Sequence, residues 1–231
     1  AAGQRHRHLA QGEGDDHAEQ RVQAQVAIDA QRQLAEHHAD ACARADQALQ
    51  QIGWRPFQLN PELPPEGVDR ATYLTVKFGG VERARQLSAS LEQAAEREGL
   101  SLRLDRIQRT PNTTQAHRLV RLADGFGQGT AMAGRLFKAY FEQGKDIGDL
   151  DMLTELAGEV GLSQEETRTY LKGDADRAAI RTADQTARQL GVQAVPCFVF
   201  DRRYALSGAQ EWTAFLPMLD LARDNGPANQ V

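Results

Sequence analysis

The 231-residue sequence predicts an α/β protein in which a run of helices interrupts a small sheet. Three observations lead to this fold class. A strand-like segment at 53–59 is followed by about six helical segments. A glycine-stopped helix then leads into a hairpin of two short strands at 197–207, and an amphipathic helix follows the hairpin. Because helices separate the first strand from the hairpin, the order indicates a split α/β domain with an all-helical insertion.

The hairpin begins with a Val-Pro dipeptide, Val195–Pro196, which precedes an apolar run over 197–200. Proline lacks the N–H that a sheet ladder requires, so Pro196 is expected at the start of the strand. The peptide bond before proline is also the bond at which the cis isomer costs little. We therefore predict a cis bond at the entry to this hairpin.

The first helices are predicted from glycine and proline signals. The strand at 53–59 ends at Asn60–Pro61, before a loop rich in proline. Helices at 69–78 and 81–98 are separated by Gly79–Gly80, and Gly99 is the expected C-cap of the second.

Capping residues predict the later helices. Asn112 and Gln115 have the spacing of a capping box for a helix that runs to residue 124, and Ser163 with Glu166 forms another. Pro217 should bend the last helix or mark a late start. The remaining predicted helices cover 128–142, 150–160, 164–172 and 175–190.

Composition and charge exclude several classes of function. A hydrophobic content of 41% and a charged content of 26% are those of a globular protein. A net charge of −5 argues against a nucleic-acid partner, and no apolar run is long enough to cross a membrane. The two cysteines, Cys42 and Cys197, cannot build a disulfide scaffold or a four-ligand zinc site. With no apolar leader visible, we expect a cytoplasmic protein without a metal.

Residues 1–50 differ from the rest of the chain. They contain thirteen Ala, nine Gln and five of the six His, but no Lys, Ser, Pro or aromatic residue. Val22 to Ile28 alternate with polar residues as a strand does, and 34–49 favours a helix. Two interpretations stay open: a genuine, divergent or disordered segment, and a shifted reading frame. The histidines (His6, His8, His17, His37 and His38) lack a ligand geometry and are read as incidental.

Five segments, taken in order, resemble the DsbA-like thiol oxidoreductases of the FrnE type. The first of them reads Trp-Arg-Pro-Phe-Gln-Leu-Asn-Pro at residues 54–61. The others lie at 77–80, 105–113, 116–119 and 191–209. The 2-hydroxychromene-2-carboxylate isomerases and kappa-class glutathione transferases are related families. The resemblance implies a thioredoxin-like fold with an inserted helical domain, and thiol–disulfide exchange with protein thiols or disulfides as partners.

The sequence departs from this family at the catalytic dithiol. A Cys-x-x-Cys motif is expected near residues 24–30, and no cysteine occurs there. Exchange requires a low-pKa thiolate and a second thiol that resolves the mixed disulfide. The chain as written is therefore predicted to be inactive. Two alternatives stay open: a glutathione-dependent isomerase or transferase, for which glutathione would be the cofactor, and a non-catalytic module that binds extended peptides.

Val195, Pro196 and Asn112 are the predicted substrate-binding residues. The resemblance implies that the backbone before the cis-proline pairs with an extended substrate. Asn112 is also explained as a helix cap, and His117 as a satisfied histidine at the edge of the core. Cys197 is the remaining catalytic candidate, although a small buried side chain explains it better. Cys42 is read as incidental.

The predicted domains follow from this resemblance. Residues 51–61 and 176–225 form the thioredoxin-like domain, and 62–175 form the helical insertion. Residues 1–50 form the atypical segment. The sequence gives no indication of the oligomeric state.

Overall fold

A computed structural model describes residues 53–224 of the chain. The described residues divide into two compact units, one that ends at Gly191 and one that begins at Val192. The predicted domain boundaries stay a prediction, because residues 1–50, which the prediction sets apart, lie outside the described part of the chain.

The first unit is helical apart from one short antiparallel pair of strands. Strands β1 and β2 pair Val68 with Thr110 and Asp69 with Arg109. A 3₁₀ turn precedes β2, and a π-helical turn extends α4. The elements are β1 (Val68–Asp69), α1 (Arg70–Phe78), α2 (Val81–Arg97), β2 (Arg109–Thr110), α3 (Thr114–Asp124), α4 (Gly129–Phe137), α5 (Leu150–Glu159), α6 (Gln164–Lys172) and α7 (Arg177–Gln189).

Side-chain caps begin three of these helices. Asp69 accepts a hydrogen bond from the N–H of Thr72 at α1, and Asp149 caps α5 in the same way. Ser163 accepts from the N–H of Glu166 at α6, as predicted. These caps satisfy N–H groups that have no partner within the helix. They explain why the helix starts were predicted well from the sequence.

The core of the first unit lies among α3, α4, α5 and α6. Small residues such as Ala123 and Ala157 let the helices approach closely, and large apolar side chains fill the space between them. The fully buried large side chains of this cluster are Leu119, Met132, Leu153, Leu156 and Leu171.

A buried arginine joins α3 to the end of α6. The side chain of Arg118 is fully buried, and its five N–H groups all find acceptors. Four of these bonds go to backbone carbonyls, and the fifth goes to Gln115 Oε1. The four carbonyls belong to Tyr170, Leu171, Gly173 and Ala175. Because the last carbonyls of a helix lack partners and carry partial negative charge, a guanidinium is a fitting cap there.

The second unit contains a hairpin and a helix. Strands β3 (Cys197–Phe200) and β4 (Tyr204–Ser207) are antiparallel, with Cys197 opposite Ser207. A 3₁₀ turn leads into α8 (Phe215–Asp224), in which Pro217 occupies the first turn. Proline is tolerated there because the first N–H groups of a helix have no partner. The late start that Pro217 predicted is confirmed.

Two predictions for the first unit are wrong. Residues 53–59 are not a strand: the backbone N–H of Gln58 binds the carboxylate of Asp184, and its C=O binds the guanidinium of Arg188. The capping box at 112–115 is not formed either. Helix α3 begins at Thr114, and the side chain of Gln115 turns to the carbonyl of Leu171 and to Arg118.

The predicted strand at 22–28, the predicted helix at 34–49 and Cys42 lie outside the described residues. Within residues 53–224, no helix is long and apolar enough to cross a membrane.

Candidate functional site

The Val195–Pro196 bond at the entry to the hairpin is cis, as predicted. Pro196 is buried, and its carbonyl accepts a hydrogen bond from the N–H of Gly208 at 2.8 Å. Gly208 has a φ of 81°, which an L-residue rarely adopts, so glycine allows the chain to return past the proline. Two of the predicted substrate-binding residues thus lie in one fixed turn.

The backbone of Val195 makes no hydrogen bond within the described part of its unit. Within residues 192–224, neither its N–H nor its C=O has a hydrogen-bonding partner, whereas the ladder of β3 begins two residues later at Cys197. Its side chain is half-buried. Within this part of the chain, the bend at Val195 therefore offers one backbone donor and one backbone acceptor.

Cys197 lies in β3 on the face opposite the aromatic packing. Phe198 and Phe200 alternate with it and pack on Phe215, with ring centroids 4.8 and 6.2 Å away. Cys197 is half-buried and is not in a disulfide. Burial raises the pKa of its thiol above the ordinary value, so the unreactive thiol form predominates at neutral pH.

Asn112 lies in the first unit, in the turn between β2 and α3. Its Oδ1 accepts from the N–H of Thr114 at 3.0 Å, and its Nδ2 donates to the carbonyl of Leu63 at 2.7 Å. These two backbone groups fix which end of the amide is oxygen. Asn112 therefore supports the start of α3, as the alternative interpretation of this residue predicted, and it is half-buried.

Gln58 is the centre of a buried network beside Asn112. Its Nε2 donates to Asn112 Oδ1 at 3.4 Å and to Thr114 Oγ1 at 3.2 Å. Its N–H donates to Asp184 Oδ1 at 2.7 Å, and its C=O accepts from Arg188. Arg188 also donates to Asp184 Oδ2 at 2.9 Å. Helix α7 thus holds both backbone polar groups of Gln58.

His117 is packed against the same network. Burial lowers the pKa of its imidazole to about 4. A hydrogen bond to the backbone of Phe57 and the negative charge of Asp184 both raise this pKa, but their combined effect is smaller than that of burial. His117 is therefore neutral at pH 7. This neutral state agrees with the prediction of a structural histidine at the edge of the core, which stays a prediction.

Among residues 53–224, no group of three or more His, Cys, Asp or Glu side chains is arranged to hold a metal ion. Of the predicted site residues, the structure brings Val195, Pro196 and Cys197 together in the second unit, and Asn112 lies in the first. Their roles in binding stay predictions.

A family model described as a DSBA-like thioredoxin domain matches residues 30–220. The chain belongs to this family. The family resemblance of the five segments and the thioredoxin-like α/β fold are thereby confirmed. The DSBA-like match begins at residue 30, where the segment expected to carry the dithiol ends.

One solved structure supports the DSBA-like assignment, and one curated protein is also similar in sequence. The crystal structure of a probable DsbA oxidoreductase from Streptomyces coelicolor is 30% identical, with a TM-score of 0.69, and the match covers 83% of this chain and 86% of that one. An uncharacterized protein of Bacillus subtilis, YwbO, is 30% identical over 155 residues, which are 64% of this chain and 71% of YwbO.

The fold also resembles that of a 2-hydroxychromene-2-carboxylate isomerase. The TM-score is 0.57 at 15% identity, over 89% of this chain and 91% of the isomerase. At that identity the likeness shows the fold alone.

Sequence reasoning missed Gln58, Asp184 and Arg188. Gln58 lies between Phe57 and Leu59, and the alternation of a strand would place its side chain on the solvent face, so the sequence pattern did not mark it as buried. The partners of its backbone lie 126 and 130 residues away, and no local pattern indicates them.

Proposed function

We propose that this chain binds extended polypeptide segments, as thiol–disulfide oxidoreductases of its family would bind their substrates, but does not catalyse disulfide exchange. Thiol–disulfide exchange is the chemistry of the family. The proposed loss of turnover in this chain follows from its lack of a Cys-x-x-Cys motif. The observation that carries the proposal is the backbone of Val195, which has no partner among residues 192–224, in a chain that lacks a Cys-x-x-Cys motif.

The cysteine chemistry supports the absence of turnover. Exchange needs an attacking thiolate and a second thiol close enough to resolve the mixed disulfide. The only two cysteines of the sequence are Cys42 and Cys197, which form no such motif. The raised pKa of Cys197 further lowers the fraction of thiolate at neutral pH.

The backbone of Val195 supports binding. An extended peptide adds to an exposed strand edge through main-chain hydrogen bonds, which do not depend on the peptide sequence. Val195 offers both a donor and an acceptor for such a bond pair. Protein thiols and disulfides in unfolded segments are ligands of this kind, and binding them requires no cofactor.

Binding can be measured by the fluorescence anisotropy of a labelled, alkylated cysteine peptide of about ten residues, long enough to form one strand. N-methylation of alternate residues removes the N–H groups on one edge of the peptide. We expect one set of N-methylated peptides to lose most of the affinity and the other set to retain it. Equal affinity of both sets would contradict strand addition.

A pair of loop variants locates the contact. Val195→Pro removes the N–H of Val195, whereas Gln193→Pro makes the same substitution at an exposed position in the same loop. We expect Val195→Pro to weaken peptide binding and Gln193→Pro to leave it close to that of the wild type. Circular dichroism of both variants checks that the hairpin unit remains folded.

A further inference from the structure

Arg70, the first residue of α1, has a guanidinium with one unpaired edge. Its Nη1 donates to Thr110 Oγ1 at 3.3 Å. Its Nε is buried, and among the described residues neither Nε nor Nη2 has a hydrogen-bonding partner. Nε and Nη2 form the edge with which an arginine binds two oxygens of one carboxylate or phosphate. Because buried N–H groups are nearly always paired, this edge points to an acceptor from outside the described part of the chain.

Arg70 differs in this respect from the other arginines of residues 53–224 that are not exposed. Arg118 is surrounded by acceptors, and the remaining five each form an ion pair with a carboxylate. These five are Arg103, Arg109, Arg135, Arg168 and Arg177. Arg70 itself is half-buried. Because a charge that is partly removed from water is stabilised by an opposite charge, Arg70 favours an anionic partner.

The carboxylates near Arg70 are engaged elsewhere. Asp69 accepts two hydrogen bonds from the first turn of α1. Burial raises the pKa of the Tyr140 hydroxyl, the positive charge of Arg70 lowers it, and the negative charge of Asp146 raises it further, so both charges lie near this hydroxyl. Asp146, however, pairs with Arg109 at 3.6 Å. Neither carboxylate therefore supplies the acceptor that the edge of Arg70 requires.

The face of α1 that carries Arg70 is cationic. Arg70, Tyr73 and Lys77 follow one side of the helix, because residues three and four apart are neighbours on a helical surface. Lys77 Nζ donates to Tyr73 Oη at 3.2 Å, and the Tyr73 hydroxyl donates to Asn60 Oδ1 at 3.0 Å. Helix α1 contains no acidic residue. Lys77 thus adds a second positive charge that attracts an anion to this face.

We propose that Arg70 binds an oxyanion, the carboxylate or phosphate group of a small molecule, through Nε and Nη2. The guanidinium is held in place before a ligand arrives, because the backbone N–H of Arg70 donates to the carbonyl of Gln108 at 2.9 Å and Nη1 donates to Thr110. A side chain that is already ordered loses little further conformational entropy on binding. This site lies within the first unit and does not depend on the peptide binding proposed for the hairpin.

An NMR titration of the isotope-labelled full chain tests the site, with inorganic phosphate and acetate as probes at constant ionic strength. We expect at least one probe to shift the Nε–H resonance of Arg70 and the backbone amides around it in a saturable manner. Arg70→Lys keeps the charge but lacks the two-nitrogen edge, so it should bind that probe about tenfold more weakly. Arg97→Met is the control, because Arg97 is exposed on α2, and it should bind as the wild type does.

The two probes distinguish the sources of the oxyanion. Saturation by phosphate alone assigns the site to phosphate-bearing molecules, and saturation by acetate alone assigns it to carboxylates. Unchanged affinity in Arg70→Lys would overturn the contact through the Nε edge. A wild-type Nε–H resonance that responds to neither probe, or only as it does to sodium chloride, would overturn the site. Both of these results would leave the proposed peptide binding intact.

Discussion

The carboxylate of Asp184 accepts a hydrogen bond of 2.7 Å from the backbone N–H of Gln58, 126 residues earlier in the chain. Arg188 donates a hydrogen bond to the carbonyl of Gln58. Asp184 and Arg188 together therefore satisfy the two backbone groups that a neighbouring strand would satisfy in a sheet. The N-terminal end of the described chain is thereby attached to α7.

Removal of this acceptor should destabilise the first unit. Asp184→Ala leaves the N–H of Gln58 buried without a partner, and we expect a loss of about 1–3 kcal/mol in the free energy of unfolding. Asp184→Asn retains an acceptor oxygen and should lose less. Urea denaturation measures both. Asp174→Ala is the control, because its ion pair with Arg177 is exposed and should contribute little. Equal stability of Asp184→Ala and the control would contradict this account of the clamp.

Arg118 should contribute more to stability than any exposed arginine of the same helix. Arg118→Met removes five hydrogen bonds and leaves buried carbonyls at the end of α6 without donors. We expect a loss of about 3–5 kcal/mol by urea denaturation. Arg118→Lys should restore little of it, because an ammonium cannot reach as many acceptors.

Arg121→Ala is the matched control for Arg118. Arg121 lies on the same helix and pairs with Asp176, with about half of its side chain exposed. Its loss should cost at most about 1 kcal/mol. A full recovery of stability in Arg118→Lys would show that charge alone, and not the hydrogen-bonding geometry, supports the end of α6.

The stability of the first unit should decrease on mild acidification because of His117. Its pKa is lowered from 6.5 to about 4 in the folded chain, so between these values the unfolded chain binds more protons. The stabilisation is complete above pH 6.5 and is lost as the pH falls towards 4, with an upper limit of about 3 kcal/mol.

His117→Gln isolates this contribution. We expect the difference in unfolding free energy between wild type and variant to depend on pH within that window and to be constant above it. The other five histidines are present in both proteins and cancel in the comparison. A difference that is constant from pH 4 to 8 would contradict the buried, neutral state of His117.

The composition of residues 1–50 leads to a prediction about the encoding DNA. The family match begins at residue 30, after most of the atypical segment. We expect that translation of this region in the other two frames gives an apolar strand followed by Cys-x-x-Cys, or by a serine variant. If neither frame does so, the segment is genuine, and the absence of the dithiol is a property of the natural protein as well as of this chain.

Local signals were enough to predict most helices but not the buried polar network. The cap at Ser163, the glycines at 79 and 80, and Pro196 act within a few residues of their position, so the sequence displays them. The strand predicted at 53–59 is absent, and the backbone N–H and C=O of Gln58 bond instead to Asp184 and Arg188 on a distant helix. Similarly, an arginine on a helix usually marks a solvent-exposed position, so a local pattern does not predict that Arg118 is buried. Its acceptors become visible only in the tertiary structure.

The most direct test of the central claim is the reduction of insulin by the full chain, with dithiothreitol and with glutathione as reductants. We expect a rate equal to that of an albumin control, because the sequence contains no Cys-x-x-Cys motif. Cys42→Ser and Cys197→Ser should behave as the wild type does. Catalysis well above the control that survives Cys42→Ser and disappears in Cys197→Ser would show that Cys197 is a reactive thiol, and would contradict the account.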